Sequence, residues 1–187
     1  MKNILISGGG GYFGTFLTQQ LLKNYNVTVY DLFYFPWLIK NKKKIKYNKK
    51  LKFIKKHLNK VKVDDFKDID VVLDLNGISN DPSSELNPGH TWKLNNTYRK
   101  NFAIVARKAG VKRYIFNSTC SIYGFSKKIT FEGGKKNPIS TYAKANLKAE
   151  KYIYSLKNNN FKVNCLRNST LFGFSNSMRL DLVVNIW

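Results

Sequence analysis

Lys2-Asn3-Ile4-Leu5-Ile6-Ser7-Gly8-Gly9-Gly10-Gly11-Tyr12-Phe13-Gly14 decides the fold of this chain. An apolar run of strand length meets a glycine cluster, and a helix-like segment follows, with Phe16, Leu17, Leu21 and Leu22 at helical spacing. Strand, tight glycine turn and helix start together form a cradle for a pyrophosphate. Glycine lets the backbone turn sharply and approach the phosphates, and the helix N-terminus offers free N–H groups and a partial positive charge. Two glycine spacings fit, Gly9-x-Gly11-x-x-Gly14 and Gly8-x-x-Gly11-x-x-Gly14. A glycine pattern by itself is a weak signal, and its context decides. Here a second apolar run, Val27-Thr28-Val29-Tyr30, ends in Asp31, twenty residues after Gly11. An acidic side chain at the end of the second strand accepts hydrogen bonds from an adenosine ribose and repels a 2′-phosphate, so NAD is expected in preference to NADP. The competing interpretation is a glycine-rich surface turn with a chance aspartate.

Outward from this stretch, apolar segments alternate in type. Strands are expected at residues 3–7, 27–31, 51–54, 71–75, 113–117 and 162–166, and helices at 12–23, 91–109 and 141–156. That alternation implies an α/β fold, a Rossmann-type doubly wound parallel sheet with helices on both faces. Asp70-Val71-Val72-Leu73-Asp74-Leu75 is nearly continuous in apolar character, as a strand buried on both faces should be. Residues 1–175 are expected to form the NAD-binding domain. Residues 176–187 read as the start of a substrate-binding portion, with the apolar 180–187 segment resembling the beginning of a helix.

The 187 residues suit one domain with a sizeable core. Only two cysteines occur, Cys120 and Cys165, far apart and without metal-ligand spacing. A reduced, cytoplasmic protein is the simplest expectation. No apolar run reaches membrane-spanning length, and the N-terminus reads as a core strand rather than a signal peptide. Asp64, Asp65, Asp68 and Asp70 read as solvated loop carboxylates, and no metal site is expected.

The formal net charge of +22 is extreme, and twelve lysines lie within residues 40–62. One reading is an electrostatic footprint for nucleic acid or an anionic membrane. The other is compositional, since Lys, Asn, Ile, Phe and Tyr make up nearly half of the chain. Only five of the 33 basic residues are arginine, the residue suited to phosphate forks and base edges. No specific nucleic-acid partner is therefore expected.

Three further constellations follow strands or open a helix. Asn117-Ser118-Thr119-Cys120-Ser121-Ile122-Tyr123-Gly124 lies just past the fifth expected strand, where ligands of open α/β sheets bind. Ser140-Thr141-Tyr142-Ala143-Lys144-Ala145-Asn146 starts a helix, and Leu166-Arg167-Asn168-Ser169-Thr170-Leu171-Phe172-Gly173 follows the sixth strand.

Through these residues the chain resembles the extended short-chain dehydrogenase/reductases, in particular the NAD-dependent nucleotide-sugar epimerase/dehydratase group. The resemblance rests on Gly8-x-x-Gly11-x-x-Gly14, Asp31, Leu75-Asn76-Gly77, Asn95, Ser118-Thr119-x-x-x-Tyr123-Gly124, Tyr142 and Leu166-Arg167-Asn168. It implies a Rossmann domain binding NAD, followed by a smaller substrate domain, and it allows a homodimer. It puts Thr119 in the place of the catalytic Ser/Thr and Tyr142 in that of the catalytic tyrosine. Asn95 takes the place of the helix asparagine near the active site. Gly8, Gly11, Tyr12, Phe13, Gly14, Asp31, His57, Leu58, Leu75, Asn76 and Gly77 fall at cofactor-binding positions.

Two departures stand out. The Tyr-x-x-x-Lys pattern of the family puts lysine at position 146, where this chain has Asn146. A free phenol ionises near pH 10, so a phenolate base at pH 7 needs roughly 4 kcal/mol of differential stabilisation. Lysine supplies charge and a ribose contact in the family; Asn146 keeps at most part of the second. With Asn146 one helical turn after Tyr142 and aimed at the cofactor ribose, Asn146→Lys is expected to favour the phenolate. The second departure is Lys56-His57-Leu58, where the family has Gly-Asp-Ile or Gly-Asp-Leu. His57 either substitutes with an acceptor nitrogen for the adenine amino group, or that contact is lost.

Three function classes follow. The first is an NAD-binding nucleotide-sugar epimerase or dehydratase with impaired catalysis, acting on a nucleotide sugar where a substrate domain is present. The second is a non-catalytic NAD-binding or interaction protein, favoured by Asn146. The third is a basic, non-specific nucleic-acid binder.

Overall fold

The structure, a computed structural model, describes residues 1–127 and 129–186. Its centre is a six-stranded, all-parallel sheet: β1 (Asn3–Ser7), β2 (Asn26–Asp31), β3 (Leu51–Lys55), β4 (Val71–Asp74), β5 (Arg113–Thr119) and β6 (Lys162–Asn168). The spatial order is β3-β2-β1-β4-β5-β6, the doubly wound order in which chain direction across the sheet reverses between β1 and β4. Alternation along β1 explains the two layers. Leu5 joins one apolar cluster with Tyr30, Val72, Phe102, Tyr114 and Ile153, while Ile4 and Ile6 join another with Leu22, Val27, Val29 and Leu38. Helix α1 (Tyr12–Leu21) runs on from the glycine turn, and Leu21 and Leu22 join the second cluster. The lysine-rich stretch after β2 is anchored there too: the short helix α2 (Trp37–Lys40) buries Leu38, and Ile45 is buried with it.

The expected helix at 91–109 is not continuous. Two one-turn helices, α3 (Asp81–Leu86) and α4 (Pro88–Trp92), are capped by the side chains of Asn80 and Asn87. A π-helical turn over Lys93–Tyr98 then leads into α5 (Arg99–Lys108). Helix α6 (Thr141–Ser155) starts where Ser140 accepts the Ala143 N–H at 3.1 Å. Strands β5 and β6 run two residues past their expected ends, because the pairing continues through Ser118↔Arg167 and Thr119↔Asn168.

Beyond β6 the chain turns back over α1. Tyr12 donates its hydroxyl to Gly173 O at 2.5 Å, Ser175 donates to Tyr12 O at 2.7 Å, and Thr15 and Ser177 share a hydroxyl contact at 3.1 Å. A short 3₁₀ turn, Val183–Asn185, stands where a helix start was expected; Trp187 lies outside the described residues. Among the described residues no helix is long and apolar enough to cross a membrane, and no group of three His, Cys, Asp or Glu side chains is placed to hold a metal ion.

Candidate active site

A cleft of about 1030 Å³ opens at the carboxyl ends of the strands, across the β1/β4 reversal. One wall is the glycine turn. Gly8 has φ +77°, and a Cβ there would lie 2.8 Å from Asn76 N. At Gly14 a Cβ would lie 2.3 Å from Gly8 O, so α1 packs directly on the turn that precedes it. Gly11 caps α1 without a side-chain oxygen, which leaves the first-turn N–H groups of a ten-residue helix facing the cleft beside Tyr12 and Phe13. These cradles leave no room for side chains and supply donors, so they fit a pyrophosphate.

Asp31 stands at the end of β2. Its Oδ2 accepts Gly10 N–H at 3.0 Å and its Oδ1 accepts Phe33 N–H at 2.6 Å. Burial pushes its carboxyl up, and the N–H groups of Phe33, Gly10 and Leu32 pull it back. A carboxylate has about four acceptor sites, and with three met by N–H groups one remains for a ribose hydroxyl. Past it the cleft is lined by Leu32, Tyr34, Phe35, His57 and Leu58. The His57 ring is held by Asn59, whose Oδ1 lies 2.6 Å from Nδ1, which leaves Nε2 as the nitrogen free to meet a ligand. Leu75, Asn76 and Gly77 form the floor. Asn95 stays beneath it: its side chain accepts Ile78 N–H and donates to Ile78 O, both at 2.9 Å, and so braces the loop instead of lining the cleft.

Thr119, at the end of β5, and Tyr142, in the first turn of α6, line the other end. Thr119 Oγ1 accepts Ser121 N–H at 3.1 Å, which fixes its rotamer. Burial raises the Tyr142 phenol above its ordinary range; the Thr119 hydroxyl and the Arg99 charge pull it down, while Asp81 and the Cys120 thiol push it up. Of the Leu166-Arg167-Asn168 stretch, Asn168 lines the cleft and Arg167 serves the frame behind it. Arg167 pairs with Glu150 at 2.7 Å and donates to Tyr123 at 2.7 Å, and Ser118 donates to Glu150 at 2.6 Å.

Asn146 does not reach the cleft. It is 2% exposed, and its Oδ1 accepts from Arg99 Nη1 at 2.9 Å while its Nδ2 donates to Tyr142 O at 2.9 Å. The expected aim at a cofactor ribose is thus replaced by an inward contact, because a buried guanidinium claims the amide oxygen. Arg99 was not singled out in the sequence. The signal available was Asp74, a carboxylate inside an apolar strand, which must find a partner when buried. Also missed were Arg179 and Asp181, an ion pair in the segment beyond β6 that lines the cleft opposite Asp81 and Ser79.

Strand order and the position of the cleft together define an α/β protein of the Rossmann class. The chain belongs to the NAD dependent epimerase/dehydratase family, whose model matches residues 4–184. It is 28% identical over 179 residues to an uncharacterized UDP-glucose epimerase, YtcB, of Bacillus subtilis, covering 91% of this chain and 57% of that protein. Among solved structures it resembles a UDP-glucuronic acid 4-epimerase from Bacillus cereus in complex with NAD, with TM-score 0.81 and 24% identity, covering 96% of this chain and 60% of the other. A UDP-N-acetylglucosamine 4-epimerase from Methanobrevibacter ruminantium is similar with TM-score 0.79 and 23% identity, covering 89% of this chain and 54% of the other. At these identities the structural likeness is one of fold. The chain spans three fifths or less of the length of each of these relatives.

Proposed function

We propose that this chain binds NAD and forms the cofactor-binding part of a nucleotide-sugar epimerase or dehydratase whose proton-transfer step is weakened. The observation that carries this reading is the convergence of glycine turn, Asp31, Thr119 and Tyr142 on one cleft. Gly8, Gly11, Gly14 and the first turn of α1, with Tyr12 and Phe13, would hold the pyrophosphate, and Asp31 the adenosine ribose. His57 and Leu58 would meet the adenine, and Leu75, Asn76 and Gly77 would lie under the dinucleotide, with Asn95 bracing them. Bound NAD would supply a hydride acceptor. Thr119 would hydrogen-bond a sugar hydroxyl, and Tyr142 would take its proton as the hydride leaves carbon. Residues 1–175 form the NAD-binding unit in this reading. Residues 176–187 belong to the substrate side, supported by the cleft-lining positions of Ser177, Met178 and Arg179.

Weakening follows from Tyr142 and Asn146. The phenol is pushed up by burial, and the neutral, inward-turned Asn146 gives neither the ribose contact nor the charge of the family's lysine. The same pair supports a second reading, a non-catalytic NAD-binding protein. Titration calorimetry with NAD and NADP, followed by incubation with NAD and UDP-sugars, tests both. Binding of NAD in preference to NADP with slow, Tyr142-dependent sugar conversion supports the first reading. NAD binding with no conversion supports the second, and absence of NAD binding defeats both.

A further inference from the structure

Arg99 is nearly sealed from solvent, at 2% exposure, yet it carries a full charge. Four of its five N–H donors have partners here. Nε donates to Asp74 Oδ2 at 2.9 Å, Nη2 donates to the carbonyls of Asp74 and Asn117 at 2.9 Å, and Nη1 donates to Asn146 Oδ1 at 2.9 Å. Its plane lies over the Phe116 ring, 3.9 Å from the centroid. These bonds orient the ion pair. The carboxylate lies on the Nε side, held further by Tyr114 Oη at 2.9 Å and by Asn76 N–H at 3.3 Å. The Nη1 edge faces α6, where Asn146 passes the contact to the Tyr142 carbonyl at 2.9 Å.

We propose that Arg99 is a positioning residue for the reacting tyrosine: docked on Asn146, its guanidinium supplies from α5 the buried positive charge that position 146 itself lacks. This rests on the reading of Thr119 and Tyr142 as the proton-handling pair. Two arguments support it. A buried ion pair is a poor device for stability, because well-packed apolar groups of the same volume do as well or better. Such a pair set beside a cleft-lining titratable group points to electrostatic work there. Second, the charges around Tyr142 need a cation. Asp81 from α3 and the Cys120 thiol both disfavour the phenolate, while Arg99 favours it. Arg179, from the segment beyond β6, also faces the phenol but is paired with Asp181 at the cleft surface, where solvent screens it. Asn146 is the residue that makes this arrangement possible. Its amide oxygen accepts from a guanidinium, which an ammonium could not do.

The test uses the 187-residue chain without NAD, so that it is independent of cofactor binding. 3,5-Difluorotyrosine incorporated at position 142 brings the phenol's ionisation into an accessible range, and ¹⁹F NMR follows it against pH. Asp74→Asn preserves shape and removes the opposing carboxylate; the titration midpoint should fall by about one pH unit. Arg99→Met should raise it by a similar amount. If Arg99→Met does not fold, Asp74→Asn decides alone. Midpoints that stay within a few tenths of the parent in the folded variants would overturn the proposal, leaving Arg99 a structural cation. Separate calorimetry with NAD reports on the functional reading, so the two can fail independently.

Discussion

Replacing Asn146 by lysine restores the residue pattern of the family, and the structure says that it should damage the chain. The amide oxygen of Asn146 lies 2.9 Å from Arg99 Nη1, in a site where Asn146 and Arg99 are each 2% exposed. An ammonium placed about 4 Å from the guanidinium, at an effective dielectric constant of about 20, is repelled by roughly 4 kcal/mol. A domain's entire stability is about 5–15 kcal/mol. We expect Asn146→Lys to cost about 3–5 kcal/mol, in line with other uncompensated buried charges, and to lower Tm by about 10 °C. Urea denaturation followed by circular dichroism, run as a double-mutant cycle with Arg99→Met, measures it. The pair should couple favourably by at least about 2 kcal/mol, since with Arg99 gone the new ammonium can serve Asp74. A single variant as stable as the parent, or the same loss with and without Arg99, would refute the reasoning. It would mean that the side chain at 146 reaches the cleft.

Other consequences can be checked directly. Gly14→Ala puts a Cβ 2.3 Å from Gly8 O and should cost about 1–3 kcal/mol by forcing α1 off the turn, with NAD affinity lost in calorimetry. Burial raises the folded Asp31 carboxyl above its ordinary value of 3.8, so the folded chain binds that proton more tightly than the unfolded chain. Stability is then lost as pH rises from 3.8 through the folded value, a slope that Asp31→Asn, which cannot titrate, should lack in urea denaturation across that window. The same variant should lose preference for NAD over NADP in cofactor titration. Binding to duplex DNA should weaken by roughly tenfold or more between 50 and 200 mM salt, with equal competition from scrambled sequences, since lysine-driven attraction is counterion release. Strong sequence discrimination in that competition would contradict it.

The sheet was legible because each strand carries a short apolar run. The glycine turn was legible because its residues are tied to backbone geometry rather than to packing. The same logic explains where reading failed. Ser118, Thr119, Arg167 and Asn168 are polar, yet they extend β5 and β6 by backbone pairing, which composition does not record. The π-helical turn at Lys93–Tyr98 interrupts what reads as one amphipathic helix; a change of hydrogen-bond register leaves the residue types unaltered. By contrast, α3 and α4 had a signal in Asn80, Pro82, Asn87 and Pro88, an asparagine cap with proline at the first turn each time. Arg99 was hidden among 33 basic residues, and only tertiary burial separates it from the solvated ones. The orientation of Asn146 followed from that omission: helical spacing puts it one turn from Tyr142, but the partner across from α6 decides which way its amide turns.

In the proposed function the dinucleotide sits in the cleft above Gly8, Gly11 and Asp31. Amide hydrogen exchange with and without saturating NAD tests it most directly. Protection should rise in residues 8–14, 31–34 and 75–78 and stay unchanged in the lysine-rich stretch at 40–50. Protection confined to that stretch, with none in the glycine turn, would contradict the account and make the binding a charge effect of the lysines.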